Sequence, residues 1–196
     1  MTVHGVEFLP DASGAGPYGG DTEAVRRRHA VTEANLSRHL DGPRRILDAA
    51  GGTGRDAVRL AMRGHDVTVL DPAGAMLTTA MACADDHGVT DRVHVVQAMA
   101  EDAPELFGAE DFDVVLCHNL LQFADDRVGL LRALTGPLRQ GGLLSVVGPA
   151  TGAFICSAAD VLDDLRTAGA EILAHYGVDE PSGAPLSYFQ IIARNV

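Results

Sequence analysis

Apolar positions along this chain alternate between two periods. Short β-rich runs such as Ile46-Leu47, Val67-Thr68-Val69-Leu70 and Val114-Val115-Leu116-Cys117 are separated by segments in which apolar residues recur at helical spacing. The pattern predicts strands at 45–49, 66–71, 93–98, 113–118 and 143–147, then 170–176 and 188–194. Helices are predicted at 22–40, 55–63, 73–87, 126–135 and 159–168. The first helix takes Val25, Val31, Leu36 and Leu40 as apolar positions and Asp21 or Thr22 as its cap, and Asp41-Gly42-Pro43 ends it. Gly64, Gly88, Gly141-Gly142 and Gly169 stand where helices should stop. Regular β/α alternation means an α/β domain with a mostly parallel sheet and helices on both faces. The last two strands have no helix between them, so Gly177–Ser187 should join them as an antiparallel hairpin at one edge. Residues 1–20, rich in Gly, Pro and Asp, read as an irregular arm, and the core as 44–196 of a single domain.

Chemistry enters at the ends of the first two strands. Asp48-Ala49-Ala50-Gly51-Gly52-Thr53-Gly54 is a strand end followed by a glycine-rich turn into a helix, and the next strand ends at Asp71. Such a turn admits the close approach of a ligand to the backbone, and an acid after the second strand can hold a ribose. Gly52-Thr53-Gly54-Arg55-Asp56-Ala57 taken alone also satisfies the dinucleotide fingerprint. Asp48 four residues before Gly52, the C-terminal hairpin, and the ordered appearance of Phe112–His118 and Leu138–Leu144 discriminate against that reading.

With those motifs the chain resembles the class I S-adenosylmethionine-dependent methyltransferases over nearly its whole length. Asp48–Gly54 resembles the first motif of that family, Asp71-Pro72 with Met76-Leu77 the second, and Val95–Asp102 the adenine-binding turn. Within the family it most resembles the branch that contains the tRNA 5-carboxymethoxyuridine methyltransferases, through Tyr18-Gly19, Arg26, Gly64–Val67 and His118–Phe123. The resemblance implies a Rossmann-like doubly wound sheet of seven strands and S-adenosylmethionine as cofactor. It implies cofactor contacts from Tyr18, Arg26, Asp48, Ala50, Gly51, Gly52, Asp71, Pro72, Met76, Met99, Ala100, Glu101 and His118. Asp71 would accept the ribose hydroxyls, Arg26 would clamp the carboxylate, Asp48 would face the amino group, and Ala100 would meet the adenine. Two positions depart from the family. Ala50 replaces a usual glycine, which requires an unstrained backbone there. Met99 replaces a frequent acid, so Glu101 or Asp102 would have to take its place.

Composition narrows the partners. A net charge of −12 argues against an extended phosphate-backbone interface but leaves room for a small anion held by one or two arginines. Arg26-Arg27-Arg28 on a helix reads equally as a solvated face. Cys83, Cys117 and Cys156 lack disulfide or zinc spacing, which points to a reducing cytoplasm, with Cys117 buried as a small hydrophobe. His29, His65, His94 and His175 are scattered without metal-ligand spacing, and Asp125-Asp126 reads as a helix cap, so no metal site is expected. No basic-then-apolar leader and no apolar run of ~20 residues is present, so neither a signal peptide nor a membrane span is expected. His118 is the one catalytic candidate, as a base or a pocket wall. The acceptor is read as a small or medium-sized metabolite with an oxygen or nitrogen nucleophile. The alternatives are a tRNA wobble uridine, or a non-catalytic adenosylmethionine- or dinucleotide-binding protein. The short link 149–157 leaves the site to be covered by the arm, that link, the 177–187 loop or a second subunit of a homodimer.

Overall fold

In the computed structural model seven strands form one sheet flanked by helices on both faces. The structure describes residues 23–150, 157–178 and 188–196, together with the backbone of a short antiparallel pair, Thr2–Val3 with Val6–Glu7. The strands are β1 (Arg45–Ala49), β2 (Asp66–Leu70), β3 (Val93–Val96), β4 (Phe112–His118), β5 (Leu138–Pro149), β6 (Ala170–Val178) and β7 (Tyr188–Asn195). Their order across the sheet is β3-β2-β1-β4-β5-β7-β6. Strands β3, β2, β1, β4 and β5 pair in parallel, while β7 runs antiparallel to both β5 and β6. The C-terminal pair is therefore the expected hairpin, and β7 alone is reversed.

The helices are α1 (Glu23–Ser37), α2 (Arg55–Ala61), α3 (Gly74–Asp86), α4 (Ala103–Leu106), α5 (Arg127–Thr135) and α6 (Ala158–Ala168). Alternate strand residues feed two cores. Leu47, Val115, Leu144 and Ile191 pack with Leu131 of α5 and Leu165 of α6 on one face. Ile46, Val69, Val114 and Ile192 pack with Leu36, Val58 and Leu77 of α1, α2 and α3 on the other. Asp126 caps α5 by accepting the Gly129 N–H at 2.8 Å, as its sequence context implied. Gly169 ends α6 in the left-handed region. Gly141-Gly142 does not stop a helix. β5 already begins at Leu138, and its register against β4 slips between Phe112 and Val114, so the glycines form an irregularity inside the strand.

Helix α1 docks by hydrogen bonds more than by grease. Its buried positions include Arg28, Thr32, Glu33 and Asn35, with Leu36 the one large apolar side chain among them. Gln190 of β7, fully buried, receives the Asn35 Nδ2–H at 3.1 Å and donates through Nε2 to the Thr32 carbonyl and to Ser145 Oγ, each at 3.0 Å. Glu33 accepts from Arg59 of α2 at 2.9 Å and pairs with Arg63. A buried amide with all its partners made orients the helix; with partners missing it costs the desolvation of each stranded group. Gln190→Leu should therefore lower stability by roughly 2–4 kcal/mol. Urea denaturation checks this, and an unchanged midpoint would mean that α1 is held by other contacts.

Candidate active site

The carboxyl ends of β1, β2 and β4 open onto one crevice, where the strand order reverses direction on either side of β1. The turn after β1 occupies it. Asp48 is 2% exposed beneath that turn, and a Cβ on Gly51 would stand 2.6 Å from its Oδ2 and 2.9 Å from Val69 Cγ1. Glycine at 51 is thus dictated by the acid beneath it. Ala50 has φ +56°, so the alanine sits in the left-handed region and the expectation of an unstrained backbone is overturned. The strain, about 1 kcal/mol, is held in place by the Ala50 N–H bond to Leu70 O at 2.7 Å. Burial, and then the neighbouring Asp56 and Asp71 charges, push the Asp48 carboxyl well above its ordinary range, and its Oδ2 has no hydrogen-bond partner among the described residues.

Asp71, 8% exposed, accepts the Gly52 N–H on Oδ2 and the Ala73 N–H on Oδ1, both at 2.9 Å. The carboxylate fixes the glycine turn and keeps one lone pair on each oxygen for a further donor. Pro72 is exposed, and its carbonyl accepts from Gln97 Nε2 at 3.1 Å, a brace the sequence did not reveal. Met76 lies half-buried in the first turn of α3. Ala100 and Glu101 stand in a 3-10 turn, Ala100–Asp102, with Ala100 buried and Glu101 exposed. Asp102 accepts the Met99 N–H at 3.2 Å, so it serves the turn, and Glu101 is the acid left facing outward. Arg26 is exposed on α1. Tyr18 lies outside the described residues, as do most of the segments expected to cover the site.

His118 ends β4 in an arrangement that no spacing announced. Its Nδ1 lies 2.8 Å from Asp56 Oδ2, and His29 Nδ1 of α1 lies 2.5 Å from Asp56 Oδ1. His118 Nε2 lies 2.9 Å from Ser145 Oγ. The proton order is self-consistent. Gln190 donates to Ser145, Ser145 to His118, and both imidazoles donate to Asp56. Burial alone would raise the Asp56 carboxyl; the hydrogen bonds from His118 and His29 outweigh it and hold the group far below the usual carboxylate range. Both ring nitrogens of His118 are engaged, so in this arrangement the ring holds the crevice wall and is not open to a substrate proton. A separate cavity of about 340 Å³, lined by Arg38, Asp41, Arg139 and Arg194 among others, lies at the opposite pole, where β4 and β5 begin, and none of the crevice residues lines it.

Comparison with known proteins agrees with this geometry. A family model described as "Methyltransferase domain" matches residues 46–142. The tRNA 5-carboxymethoxyuridine methyltransferase of Escherichia coli (strain K12) is 34% identical over 124 residues, 61% of this chain and 47% of that protein. A ubiquinone/menaquinone biosynthesis C-methyltransferase of Proteus mirabilis (strain HI4320) is 31% identical over 126 residues, 63% of this chain and 48% of that protein. The chain spans about half the length of these curated relatives. Among solved structures, the 1,6-didemethyltoxoflavin-N1-methyltransferase of Burkholderia thailandensis has a TM-score of 0.72 at 24% identity, covering 90% of this chain and 80% of its own. The [4+2]-cyclase SpnF has a TM-score of 0.73 at 22% identity, covering 85% and 81%. These two likenesses establish the fold and, given the cyclase, leave the reaction to the site.

Asp56→Ala should strand two half-buried imidazole N–H donors and cost roughly 2–4 kcal/mol near neutral pH. Because the folded state lowers the Asp56 carboxyl, its contribution is present above the ordinary value of 3.8 and is lost as pH falls below it. Denaturant titrations of both proteins at pH 7 and in acid check the sign: the gap between them should narrow only in acid.

Proposed function

The chain belongs to the class I S-adenosylmethionine-dependent methyltransferase family, and from that premise we propose that it methylates a small or medium-sized metabolite through an oxygen or nitrogen nucleophile. The observation that carries the reading is the glycine turn held by Asp71 at the point where the strand order reverses, beside a sheet whose seventh strand alone is reversed. The residues fit the cofactor. Gly52 faces open space, since a Cβ there would meet nothing within 4 Å, and each Asp71 oxygen, with one N–H bond made, can accept a further donor.

When bound, S-adenosylmethionine supplies an electrophilic methyl on a sulfonium with a neutral thioether as leaving group. The protein's task is then to align a nucleophile and exclude water. In this reading Asp71 takes the ribose hydroxyls, the Ala50–Gly52 backbone and Arg26 take the amino-acid end, and Ala100 with Glu101 takes the adenine. His118 and Asp56 form the wall toward β4 and β5. The reading includes a reducing cytoplasm, argued from the spacing of Cys83, Cys117 and Cys156, which fits neither a disulfide framework nor a zinc site. Among the described residues no helix is long and apolar enough to cross a membrane. It also includes closure of the site by the chain's own loops or by a second copy.

Titration calorimetry with S-adenosylhomocysteine and NAD tests the cofactor. Binding of the first and not the second is expected. Asp71→Ala should weaken S-adenosylhomocysteine by roughly 1.5–3 kcal/mol, the range for hydrogen bonds to a charged group. Unchanged affinity in a folded variant would place the ribose elsewhere. Binding without methyl transfer to any acceptor would instead indicate a non-catalytic binder.

The likeness to a tRNA enzyme gives a second reading, a wobble-uridine acceptor. Charge weighs against it, with 15 Lys and Arg facing 27 Asp and Glu. Each phosphate contact must be met by a cation, and the whole-molecule field repels a polyanion. Incubating total tRNA with labelled S-adenosylmethionine should leave the tRNA unlabelled; stoichiometric label would make tRNA the acceptor.

A further inference from the structure

Arg28 is a buried cation on α1. Its relative exposure is 5%, and among the described residues no carboxylate pairs with it. Among the described residues one of its five N–H donors approaches an acceptor: Nη2 lies 3.4 Å from His29 Nε2. Its face lies over the Tyr188 ring, 4.7 Å from the centroid. Cation–π contact of that kind offsets part of the desolvation of a guanidinium but supplies no opposite charge to balance it. A group in this state points to an anion that arrives with a ligand.

Its place in the fold says which ligand. Tyr188 opens β7 opposite Pro149, the last residue of β5, so Arg28 stands over the carboxyl end of β5. The turn after β1 and Asp71 lie on the other side of β4. Arg26 is two residues away on α1, about 200° around the helix, and is exposed where Arg28 is buried. The two arginines therefore serve different directions. His29 joins Arg28 to Asp56 and thence to His118, so the guanidinium is fixed relative to the crevice wall.

We propose that Arg28 receives a carboxylate of the methyl acceptor, which makes the acceptor a small organic acid bound as its anion. This rests on the methyl-transfer reading above and names its substrate class. A planar guanidinium matches a carboxylate in bidentate fashion. One guanidinium balances one negative charge, and the Asp56 carboxylate behind His29 disfavours a dianion such as phosphate.

Benzoate and benzamide share a shape and differ in charge, which makes them the probes. Each is titrated by calorimetry into the protein with and without saturating S-adenosylhomocysteine, with inorganic phosphate as a third ligand. Saturable benzoate binding at least tenfold tighter than benzamide is expected, with phosphate weaker than benzoate. Arg28→Met should erase the preference for benzoate and Arg28→Lys should keep part of it, while S-adenosylhomocysteine affinity changes less than threefold in both. Equal binding of benzoate and benzamide, or binding of neither, overturns the proposal, and the wild-type comparison decides this even if the methionine variant fails to fold. Phosphate binding tighter than benzoate overturns it in favour of a phosphorylated acceptor. A tenfold loss of S-adenosylhomocysteine in Arg28→Met overturns it by assigning Arg28 to the cofactor. Failure of S-adenosylhomocysteine to bind, with the benzoate preference intact, would sink the methyl-transfer reading and leave the carboxylate site standing.

Discussion

A carboxylate shared by two imidazoles holds three distant parts of this chain in one arrangement. Asp56 belongs to α2, and thus to the helix that the glycine turn launches. His29 belongs to α1, and His118 to the end of β4. Removing a carboxylate from water is expensive unless its lone pairs are filled by good donors, and here each oxygen has an imidazole N–H. The cost of breaking that set is what fixes α1 over the crevice. Arg28 and Arg26 ride on that helix, so the position of both cations follows from the same shared carboxylate.

The network is continuous with the docking of α1 further down. From His118 it passes through Ser145 to Gln190, and from Gln190 to Asn35 and Thr32. Every strand residue in this path points to the α1–α2 face, because the two-residue period of β4, β5 and β7 puts Leu116, Ser145 and Ile192 on one side and Val115, Leu144 and Ile191 on the other. Polar groups thus replace grease in one patch of an otherwise apolar core. Such a patch specifies a single geometry, since a shifted helix would leave several donors and acceptors unpaired.

This explains what could be read from the sequence. The parallel strands β1 to β4 and helices α2, α3, α5 and α6 are visible because their buried faces are apolar and periodic. The fold, the glycine turn and Asp71 follow from that alternation. Helix α1 was visible as a helix, yet its inward face was not, because Arg28, Thr32, Glu33 and Asn35 carry no hydrophobic signal. Arg26-Arg27-Arg28 looks like one charged face in the sequence; a helix turns about 100° per residue, so the run splits into exposed and buried members. His29 looked stray because its partner Asp56 is 27 residues away, and Asp56 in turn is 62 residues from His118. Short elements such as α4 and the early start of β5 at Leu138 lacked enough residues, or enough regularity, to show a period.

The place of β7 in the sheet has a consequence for how the chain is made. β7 follows β6 in sequence, yet it lies between β5 and β6. During vectorial synthesis β5 and β6 exist before the strand that must separate them, and α1 exists before the Gln190 that seats it, 155 residues later. The earlier elements must therefore wait with an open sheet edge. Completion of the sheet beside β5 is delayed until β7 has been made, and long-range closure of this kind is slow and exposed to mispairing. A nascent chain of this protein has its glycine turn long before it has a finished site.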